Sequence, residues 1–230
     1  MHRFFVDPGA IADERFPLPG AIAHHVARVL RLRDGDEIML LDGLGGEVQC
    51  RLDGGECVVV DRGVASGEPT HQLTVWQGLL KGDHLEPVIR HGTELGISRF
   101  ELFVSERCVV REISPRRLER LRAVAREAAE QSERGIVPPV DEQVTFSDAL
   151  KAAAPGSVLL LERHGGKRLT ELEPPPSVFI GPEGGFSAAE VEAAERAGLA
   201  IAGLGPRILR SETVAVAVAA AVLSRTGDFA

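Results

Sequence analysis

The sequence predicts an α/β protein, in which a small β-rich module precedes a mostly parallel sheet with helices on both faces. In the first 70 residues, short strand-like segments alternate with Asp-Gly and Gly-Gly turns, a spacing typical of small barrels. From Gln72 onward, short apolar runs alternate with helical patterns, which indicates a parallel sheet. Residues 63–71 are small and polar, as expected of a linker. We therefore predict two domains, at 1–70 and 71–230.

Composition restricts the class of protein. The chain has 230 residues, enough for one large domain or two small ones, and 44% of them are hydrophobic. No apolar run approaches the roughly 18 residues of a membrane span, and the N-terminus lacks a signal-peptide core, so we expect a cytoplasmic protein. The cysteines form no CxxC pair, which favours free thiols in a reducing compartment and gives no reason to expect a metal; they are Cys50, Cys57 and Cys108.

The first part has four predicted strands and one predicted helix. The strand-like segments are bounded by turns such as Asp34-Gly35 and Asp53-Gly54, which are hairpin signals. Several short strands at close spacing suggest a small barrel. The predicted strands are 3–6, 37–41, 47–52 and 56–61, and the predicted helix is 20–30.

The second part is predicted to alternate about five core strands with helices. Local signals set helix boundaries: Pro115 is favoured at a first helical position, and Ser187 with Glu190 has the spacing of a capping box. Ser211 is the expected N-cap of the last helix, which is nearly all Ala and Val. The predicted strands are 73–80, 100–104, 158–161, 177–180 and 199–204, and further helices are predicted at 85–95, 146–154 and 212–224.

Two glycine-rich segments follow the last two predicted strands. One begins at Gly181 and the other at Gly205. Because glycine allows positive φ and close backbone approach, the main-chain N–H and C=O groups there could recognise a flat, polar ligand such as adenine. The alternative is a pair of tight loops in an ordinary α/β domain, and spacing alone does not decide between the two.

The residues of these segments are more specific than their spacing. Ile180-Gly-Pro-Glu-Gly-Gly-Phe-Ser187 and Leu204-Gly-Pro-Arg-Ile-Leu-Arg-Ser-Glu-Thr213 resemble the paired C-terminal signature of the RsmE family. These are ribosomal RNA uridine-N3 methyltransferases of the SPOUT, or trefoil-knot, superfamily. The resemblance continues in order over nearly the whole chain, through 25–36, 94–96, 105–107 and 127–134.

The resemblance implies both a fold and a reaction. The first domain would be a PUA-like barrel that helps to hold RNA, and the second a trefoil-knotted SPOUT sheet. The methyl donor would be S-adenosyl-L-methionine, and the substrate a uridine of small-subunit (16S) ribosomal RNA, or of the 30S particle, near the decoding centre. The resemblance also implies that the protein is an obligate homodimer. The small-residue helix 212–224 would offer the interface between the subunits; the alternative is that this helix packs only within the chain.

The resemblance also assigns residues to the donor site. The main chain of the two glycine-rich loops would read adenine, while apolar Ile208 and Leu209 would cover its face. Carried over position by position, the donor-binding residues are Leu160, Leu161, Glu162, Gly181, Pro182, Glu183, Gly184, Gly185, Leu204, Gly205, Arg207, Ile208, Leu209 and Thr213.

The chemistry of the reaction suggests two catalytic residues. A neutral imide N–H is a poor nucleophile, so the site must remove the N3 proton or stabilise the charge that spreads onto O2 and O4. Arg210 lies beside the donor loop and suits that charge; the alternative is an ion pair with Glu212 or Glu183. Glu183 is a candidate base, although a carboxylate that binds nearby N–H groups is an equal reading.

Candidate RNA contacts come from arginine-rich segments. The formal net charge is −8, but phosphate binding depends on a local patch rather than on the total. The alternative for these arginines is a solvated helix face with ion pairs. The target base must be unpaired or flipped out, because its N3 edge has to be free. The candidates are Arg28, Arg31, Arg33, Arg107, Arg111 and, on resemblance alone, Arg134.

Three other functions stay open at this point. A SPOUT enzyme could instead methylate the ribose of transfer RNA, or the chain could be a non-catalytic RNA-binding module with a degenerate site. A nucleotide-dependent oxidoreductase is the least supported, because no GxGxxG motif follows a predicted strand.

Overall fold

The computed structural model describes residues 1–161 and 167–229. They form two compact units. The first consists of Met1–Glu68 together with Ala129–Val137, and the second of Pro69–Ala128 together with Pro138–Ala230. The grouping therefore changes at Glu68, near the predicted boundary, and adds to the first unit a segment that the sequence did not suggest.

The first unit contains a five-stranded sheet in the order β1-β3-β4-β5-β2. β1 pairs with β3 in parallel and the other pairs are antiparallel. Of these strands, β2 was not predicted, because three residues that end in a proline carry no alternating pattern. The strands are β1 (His2–Phe5), β2 (Arg15–Pro17), β3 (Glu37–Leu41), β4 (Gly46–Asp53) and β5 (Glu56–Val64).

This sheet curls around one core. Phe4 on edge strand β1 and Phe16 on the opposite edge strand β2 belong to the same buried cluster, as expected of a barrel-like module. The predicted helix 20–30 is present as helix α1 (Gly20–His24), which continues as a π-helix (His25–Leu30). It ends at Arg31, whose backbone is left-handed with φ 56°.

The second unit contains a six-stranded sheet in the order β11-β9-β10-β6-β7-β8. Every pairing in it is parallel. The two-residue strand β8 is the addition to the five predicted strands and is too short to leave a sequence pattern. The strands are β6 (Thr74–Gly78), β7 (Arg99–Val104), β8 (Val144–Thr145), β9 (Val158–Leu160), β10 (Ser177–Ile180) and β11 (Ala200–Ala202).

Helices cover both faces of this sheet, which confirms the predicted α/β class. On one face, Trp76, Phe103 and Phe179 pack with Phe146 of α4 and Ala194 of α5. On the other face, α2 approaches Phe100 so closely that a Cβ on Gly92 would lie 2.8 Å from its ring. The helices are α2 (Leu85–Glu94), α3 (Pro115–Gln131), α4 (Phe146–Ala152), α5 (Ala188–Arg196) and α6 (Ser211–Leu223).

Several local predictions can be checked against these boundaries. Helix α3 begins at Pro115, and Ser187 with Glu190 forms the predicted capping box of α5. The prediction that Ser211 caps α6 is wrong: Arg210 is the N-cap residue and makes no side-chain cap bond, while the Ser211 hydroxyl binds the Gly181 carbonyl. The three cysteines are free and buried. No helix in the described ranges is long and apolar enough to cross a membrane.

Candidate functional site

The candidate site lies where four parallel strands of the second unit end. Ile180, the last residue of β10, is in register with Gln77 near the end of β6, and Leu160 of β9 is in register with Ala202 of β11. The loops that follow these strands therefore leave the sheet at one edge. Ligands of open α/β sheets bind outside this carboxyl edge.

The loop after β10, residues 181–185, depends on glycine for its close approach to β6. A Cβ on Gly78 would lie 2.8 Å from the nitrogen of Pro182, a distance that real Cβ atoms do not tolerate. The loop closes through a hydrogen bond from the Gly185 amide to the Pro182 carbonyl (2.9 Å), and Gly185 has a φ of 65°. A side chain at either glycine would therefore strain or displace the loop.

A buried hydrogen-bond chain joins this loop to the N-terminus of α6. The Ser211 hydroxyl donates to the Gly181 carbonyl (2.7 Å) and accepts from the Gln77 amide (3.0 Å). The Gln77 amide also donates to the Gly78 carbonyl (3.0 Å), and its oxygen has no partner among the described residues. Because buried polar groups are costly unless paired, this chain fixes both loops relative to β6.

The loops enclose a cavity of about 750 Å³. This volume lies within the roughly 300–1,000 Å³ of small-molecule sites. Its wall combines the main chain of 181–185 with two kinds of side chain. Apolar groups come from Leu160, Leu161, Ile180, Phe186, Val191, Leu204, Ile208 and Leu209, and charged or titratable groups from Lys81, His84, Arg107, Glu183, Arg207, Arg210 and Glu212.

Most of the residues predicted for donor binding line this cavity, namely Leu160, Leu161, Gly181, Pro182, Glu183, Gly184, Gly185, Leu204, Arg207, Ile208 and Leu209. Gly205 is not part of the wall but supplies the turn beside it, with a φ of 129°. Thr213 is exposed on α6 and outside the wall, because it lies about 200° around the helix from the inward-facing Ser211. Glu162 falls outside the described residues.

The two predicted catalytic residues have different surroundings. Arg210 lines the cavity and is exposed, and its guanidinium makes no ion pair with any described residue. The alternative partners are engaged elsewhere: Glu212 lies 3.4 Å from His84, and the Glu183 carboxylate accepts from the Lys81 amide (3.1 Å). Glu183 thus binds a backbone N–H group, which was the alternative to its role as a base.

The arginines predicted to contact RNA fall into two groups. Arg28, Arg31 and Arg33 are exposed on the first unit, with no ion pair to any residue that the structure describes. Arg107 and Arg111 instead bind their own surroundings: Arg107 donates to the Gly184 carbonyl (3.1 Å) and lines the cavity, and Arg111 donates to the Ser105 carbonyl (2.7 Å).

Arg134 is placed where RNA cannot reach it. Its side chain is 2% exposed, and its guanidinium pairs with the Glu68 carboxylate at 2.8 Å. The Ile136 amide donates to the same carboxylate (2.9 Å). A buried guanidinium that is already paired with a carboxylate is unavailable to a phosphate, so the structure does not support the predicted RNA contact at Arg134.

The cavity wall contains four polar residues that were not predicted as site residues, namely Lys81, His84, Ser211 and Glu212. Lys81 and His84 belong to the turn between β6 and α2. The Lys81 amide reaches Glu183, and the His84 ring lies beside Glu212. For Lys81 and His84, the only sequence signal is that they closely follow a strand of a parallel sheet, whose carboxyl end lies at the edge where ligands bind.

Comparison with known proteins gives two matching family models. One is described as an RNA methyltransferase domain and matches residues 67–223, and the other as an RNA methyltransferase PUA domain and matches residues 18–61. Among curated proteins, the ribosomal RNA small subunit methyltransferase E of Bacillus subtilis (strain 168) is 31% identical over 98% of this chain and 97% of its own length. The protein of the same name from Synechocystis is 34% identical over 92% of this chain and 74% of its own length.

Two solved structures of similar proteins match nearly the whole chain. A ribosomal RNA small subunit methyltransferase E from Neisseria gonorrhoeae, crystallised bound to S-adenosyl methionine, is 31% identical, with a TM-score of 0.88 over 98% of both chains. A predicted RNA methyltransferase from Thermotoga maritima is 26% identical, with a TM-score of 0.73 over 100% of both chains.

Proposed function

The chain belongs to the ribosomal RNA small subunit methyltransferase E family, and on that premise we propose that it methylates N3 of a uridine in 16S ribosomal RNA near the decoding centre, with S-adenosylmethionine as donor. The product is 3-methyluridine. The observation that carries this proposal is the cavity between the two glycine-rich loops, in a chain that shares the SPOUT-type fold and 31% of its residues with a relative crystallised with that donor.

The residues of the cavity fit S-adenosylmethionine. Backbone groups of 181–185 suit the polar edge of adenine and the ribose hydroxyls, while Leu160, Ile208 and Leu209 suit the flat face of the base. When bound, the donor supplies a methyl carbon that is already electrophilic because it is attached to a sulfonium. The protein therefore has to position the two reactants and manage the charge on the uracil.

Arg210 supplies that charge control in our proposal. Its guanidinium lines the cavity without an ion pair to any described residue, so it is available to the negative charge that develops on O2 or O4 of the uracil. A prepositioned hydrogen-bond donor stabilises such developing charge because it needs no reorganisation during the reaction. Glu183 is the weaker catalytic candidate, because its carboxylate is occupied by the Lys81 amide.

RNA binding is assigned to the exposed arginines of the first unit. Arg28, Arg31 and Arg33 lie close together in sequence, at the end of the π-helix and just beyond it. Guanidinium groups suit bidentate phosphate contacts. Such contacts position the RNA, while the reacting uridine has to be unpaired or flipped to expose N3. Because the proposed substrate is ribosomal and the three thiols are free, we place the activity in the cytoplasm.

We also propose that the protein works as a homodimer through the outer side of α6. The inner residues of this helix, such as Ala215 and Val218, are buried within the chain, whereas Val216, Ala217 and Ala220 remain partly or fully exposed. Ala220→Glu should therefore convert dimers to monomers in sedimentation equilibrium, whereas Ala123→Glu, at an exposed alanine of α3, should not. A monomeric wild-type protein would contradict this assignment.

The reaction can be tested by nucleoside mass spectrometry of ribosomal RNA from a strain that lacks the gene. Digests should lose 3-methyluridine and regain it when the wild-type gene is restored. Intact 3-methyluridine would refute the proposed function, and loss of a ribose-methylated nucleoside from transfer RNA would favour the alternative target. Absence of S-adenosylmethionine binding in calorimetry would favour a non-catalytic RNA-binding protein.

A further inference from the structure

A histidine and a glutamate face each other in the wall of the cavity. His84 immediately precedes α2, and its Nδ1 atom lies 3.4 Å from Oε1 of Glu212 in the first turn of α6. Both side chains line the cavity. The glutamate is the more buried of the two, with 18% of its side chain exposed against 42% for the histidine. The arrangement therefore places a partly exposed imidazole beside a less exposed carboxylate in the cavity wall.

We propose that His84, oriented by Glu212, is the general base that removes the N3 proton of the target uracil. This inference rests on the proposed function and extends it, because the reaction needs a base and Glu183, the candidate in the glycine-rich loop, already accepts a hydrogen bond from the Lys81 amide. It also gives Glu212 a role as a positioning residue, which acts through His84 rather than on the RNA.

The chemistry follows from the two nitrogens of the ring. A carboxylate beside Nδ1 favours the tautomer with its proton on Nδ1, which leaves Nε2 as the proton acceptor. The negative carboxylate also stabilises the imidazolium that forms when Nε2 takes a proton. In sites without substrate, such contacts are frequently long and tighten on binding, which is consistent with the 3.4 Å separation of Nδ1 and Oε1.

The step balances in atoms and charge. The N3–H bond of uracil breaks, its proton moves to Nε2 of His84, and the electron pair remains on the imidate. N3 then bonds to the methyl carbon, and the electrons of the broken carbon–sulfur bond stay on sulfur, which becomes a neutral thioether. The imidazolium afterwards releases its proton to water, so no further reactant is consumed.

The remaining charged groups around His84 leave it as the base best placed for this step. Glu183 accepts from the Lys81 amide, and Arg117 of α3 fixes the turn by donating to the Leu80 and Gly82 carbonyls. The charged groups nearest in sequence are Lys81, Asp83 and Glu86, and Glu86 is paired with Arg120 of α3. The Arg120 guanidinium lowers the pKa of the Glu86 carboxyl, which keeps that carboxylate ionised and in its pair.

Arg210, which precedes Glu212 by two residues, complements this base. It lines the same cavity and carries the opposite charge to the imidate. In this assignment His84 accepts the proton while Arg210 stabilises the anion that is left. The two functions can be separated experimentally, because a more acidic uracil needs a base less but still develops charge.

The test uses substrates that differ in N3 acidity. Small-subunit ribosomal RNA is transcribed with either uridine or 5-fluorouridine, whose electronegative fluorine acidifies the N3–H, and is assembled into 30S particles. Single-turnover methyl transfer is measured for wild type, His84→Ala, Glu212→Gln and the control His91→Gln, an exposed histidine of α2 outside the cavity wall. Calorimetry of S-adenosylmethionine binding checks that each variant keeps a folded site.

His84→Ala should slow transfer to the uridine particle by about 100-fold or more, as expected when a general base is removed. The ratio of wild-type to variant rates should shrink at least tenfold on the fluorinated particle, and also as the pH is raised. Glu212→Gln should show a smaller defect with the same rescue, and His91→Gln should match wild type. S-adenosylmethionine affinity should stay within about threefold of wild type throughout.

Two results would overturn the inference. One is a normal rate for His84→Ala on the uridine particle, and the other is an equal defect on both particles, which would indicate a structural role. If His84→Ala loses its fold, the same comparison with Glu212→Gln decides, because an unrescued defect there removes the proposed pair. Failure of the proposed function itself is distinct: the wild type would then form no 3-methyluridine on the uridine particle.

Discussion

At the scale of single residues, Arg210 occupies a position that stability alone would not select. It is the N-cap of α6, where Ser, Thr, Asp or Asn would satisfy a free amide and a positive charge faces the positive end of the helix. Its guanidinium makes no ion pair with any described residue and lines the cavity. An arginine at this position goes against the N-cap and charge preferences of a helix and gains no ion pair with a described residue, which indicates a role in function.

Arg210→Ala should lower the rate of methyl transfer about 100- to 1,000-fold, which is the usual effect of removing one hydrogen-bond donor that stabilises a developing negative charge. Affinity for S-adenosylmethionine should change little, and thermal stability should hold or rise slightly because an unfavourable charge is removed from the helix N-terminus. Single-turnover kinetics, calorimetry and a thermal melt measure the three quantities.

The matched control for Arg210 is Arg196→Ala, an exposed arginine at the end of α5 whose ion pair among the described residues is with Glu192. It should leave all three quantities unchanged. Near-normal methyl transfer by Arg210→Ala would remove the charge-stabilising role and return Arg210 to an ordinary surface position.

At the scale of elements, the site depends on the close packing of β6 against the loop 181–185. A Cβ on Gly78 would meet the Pro182 nitrogen and Cδ, both at 2.8 Å. Neither atom belongs to a flexible side chain, so the loop itself must move to make room. The loop is also tied to Ser211 through the Gly181 carbonyl, so a displacement there would reach the N-terminus of α6.

Gly78→Ala should therefore weaken S-adenosylmethionine binding at least tenfold in calorimetry. Overpacking of a tight contact should also cost about 1–3 kcal/mol of unfolding free energy, read from urea denaturation. Gly20→Ala is the control, because outside its chain neighbours and its own helix no atom of the described residues lies within 4 Å of the added Cβ. Unaltered donor affinity in Gly78→Ala would mean that this contact does not shape the site.

Elements with strong local signals could be predicted from the sequence, and short or irregular ones could not. Strands 37–41 and 177–180 agree with β3 and β10 at both ends, because turns and apolar runs bound them sharply. Strands β2 and β8 depend on neighbours elsewhere in the sheet and carry no pattern of their own. Ser211 was misjudged because its hydroxyl is used in a tertiary bond rather than in capping.

At the scale of the whole molecule, the acidic total charge coexists with a local basic patch, formed by Arg28, Arg31 and Arg33. If these arginines neutralise phosphates, RNA affinity should fall steeply with salt. Arg28→Ala and Arg33→Ala should each weaken binding and reduce the slope of log K against log salt by about one unit. Arg31 is unsuited to this test, because its left-handed backbone would also be affected.

The control for this measurement is Arg15→Ala, in the same unit. Its guanidinium is already paired with Asp53 and Glu56, so its loss should barely alter the salt slope. Filter-binding or fluorescence titrations with small-subunit ribosomal RNA at several salt concentrations give the slopes. Equal slopes for wild type and for both patch variants would contradict the assignment.

The sequence predicted the parts of the site whose residues form a recognisable motif, and it missed the parts that only the fold brings together. The glycine-rich loops were recognisable, whereas Lys81 and His84 form an ordinary turn that the register of Ile180 with Gln77 brings to the same edge. Arg134 was predicted to contact RNA on the family resemblance alone, and its ion pair with Glu68, 66 positions away, depends on the fold. Residues 129–131 are the last residues of α3, yet they group with the first unit together with 132–137. A helical sequence pattern gives no sign of such a change of unit.

The most direct test of the central claim follows a labelled methyl group. Purified protein is incubated with S-adenosylmethionine carrying a trideuterated methyl group and with unmodified 30S particles, and the RNA is digested for mass spectrometry. We predict the label in 3-methyluridine from 16S ribosomal RNA, strongly reduced with Arg210→Ala. Label on another nucleoside, or no transfer at all, would contradict the account.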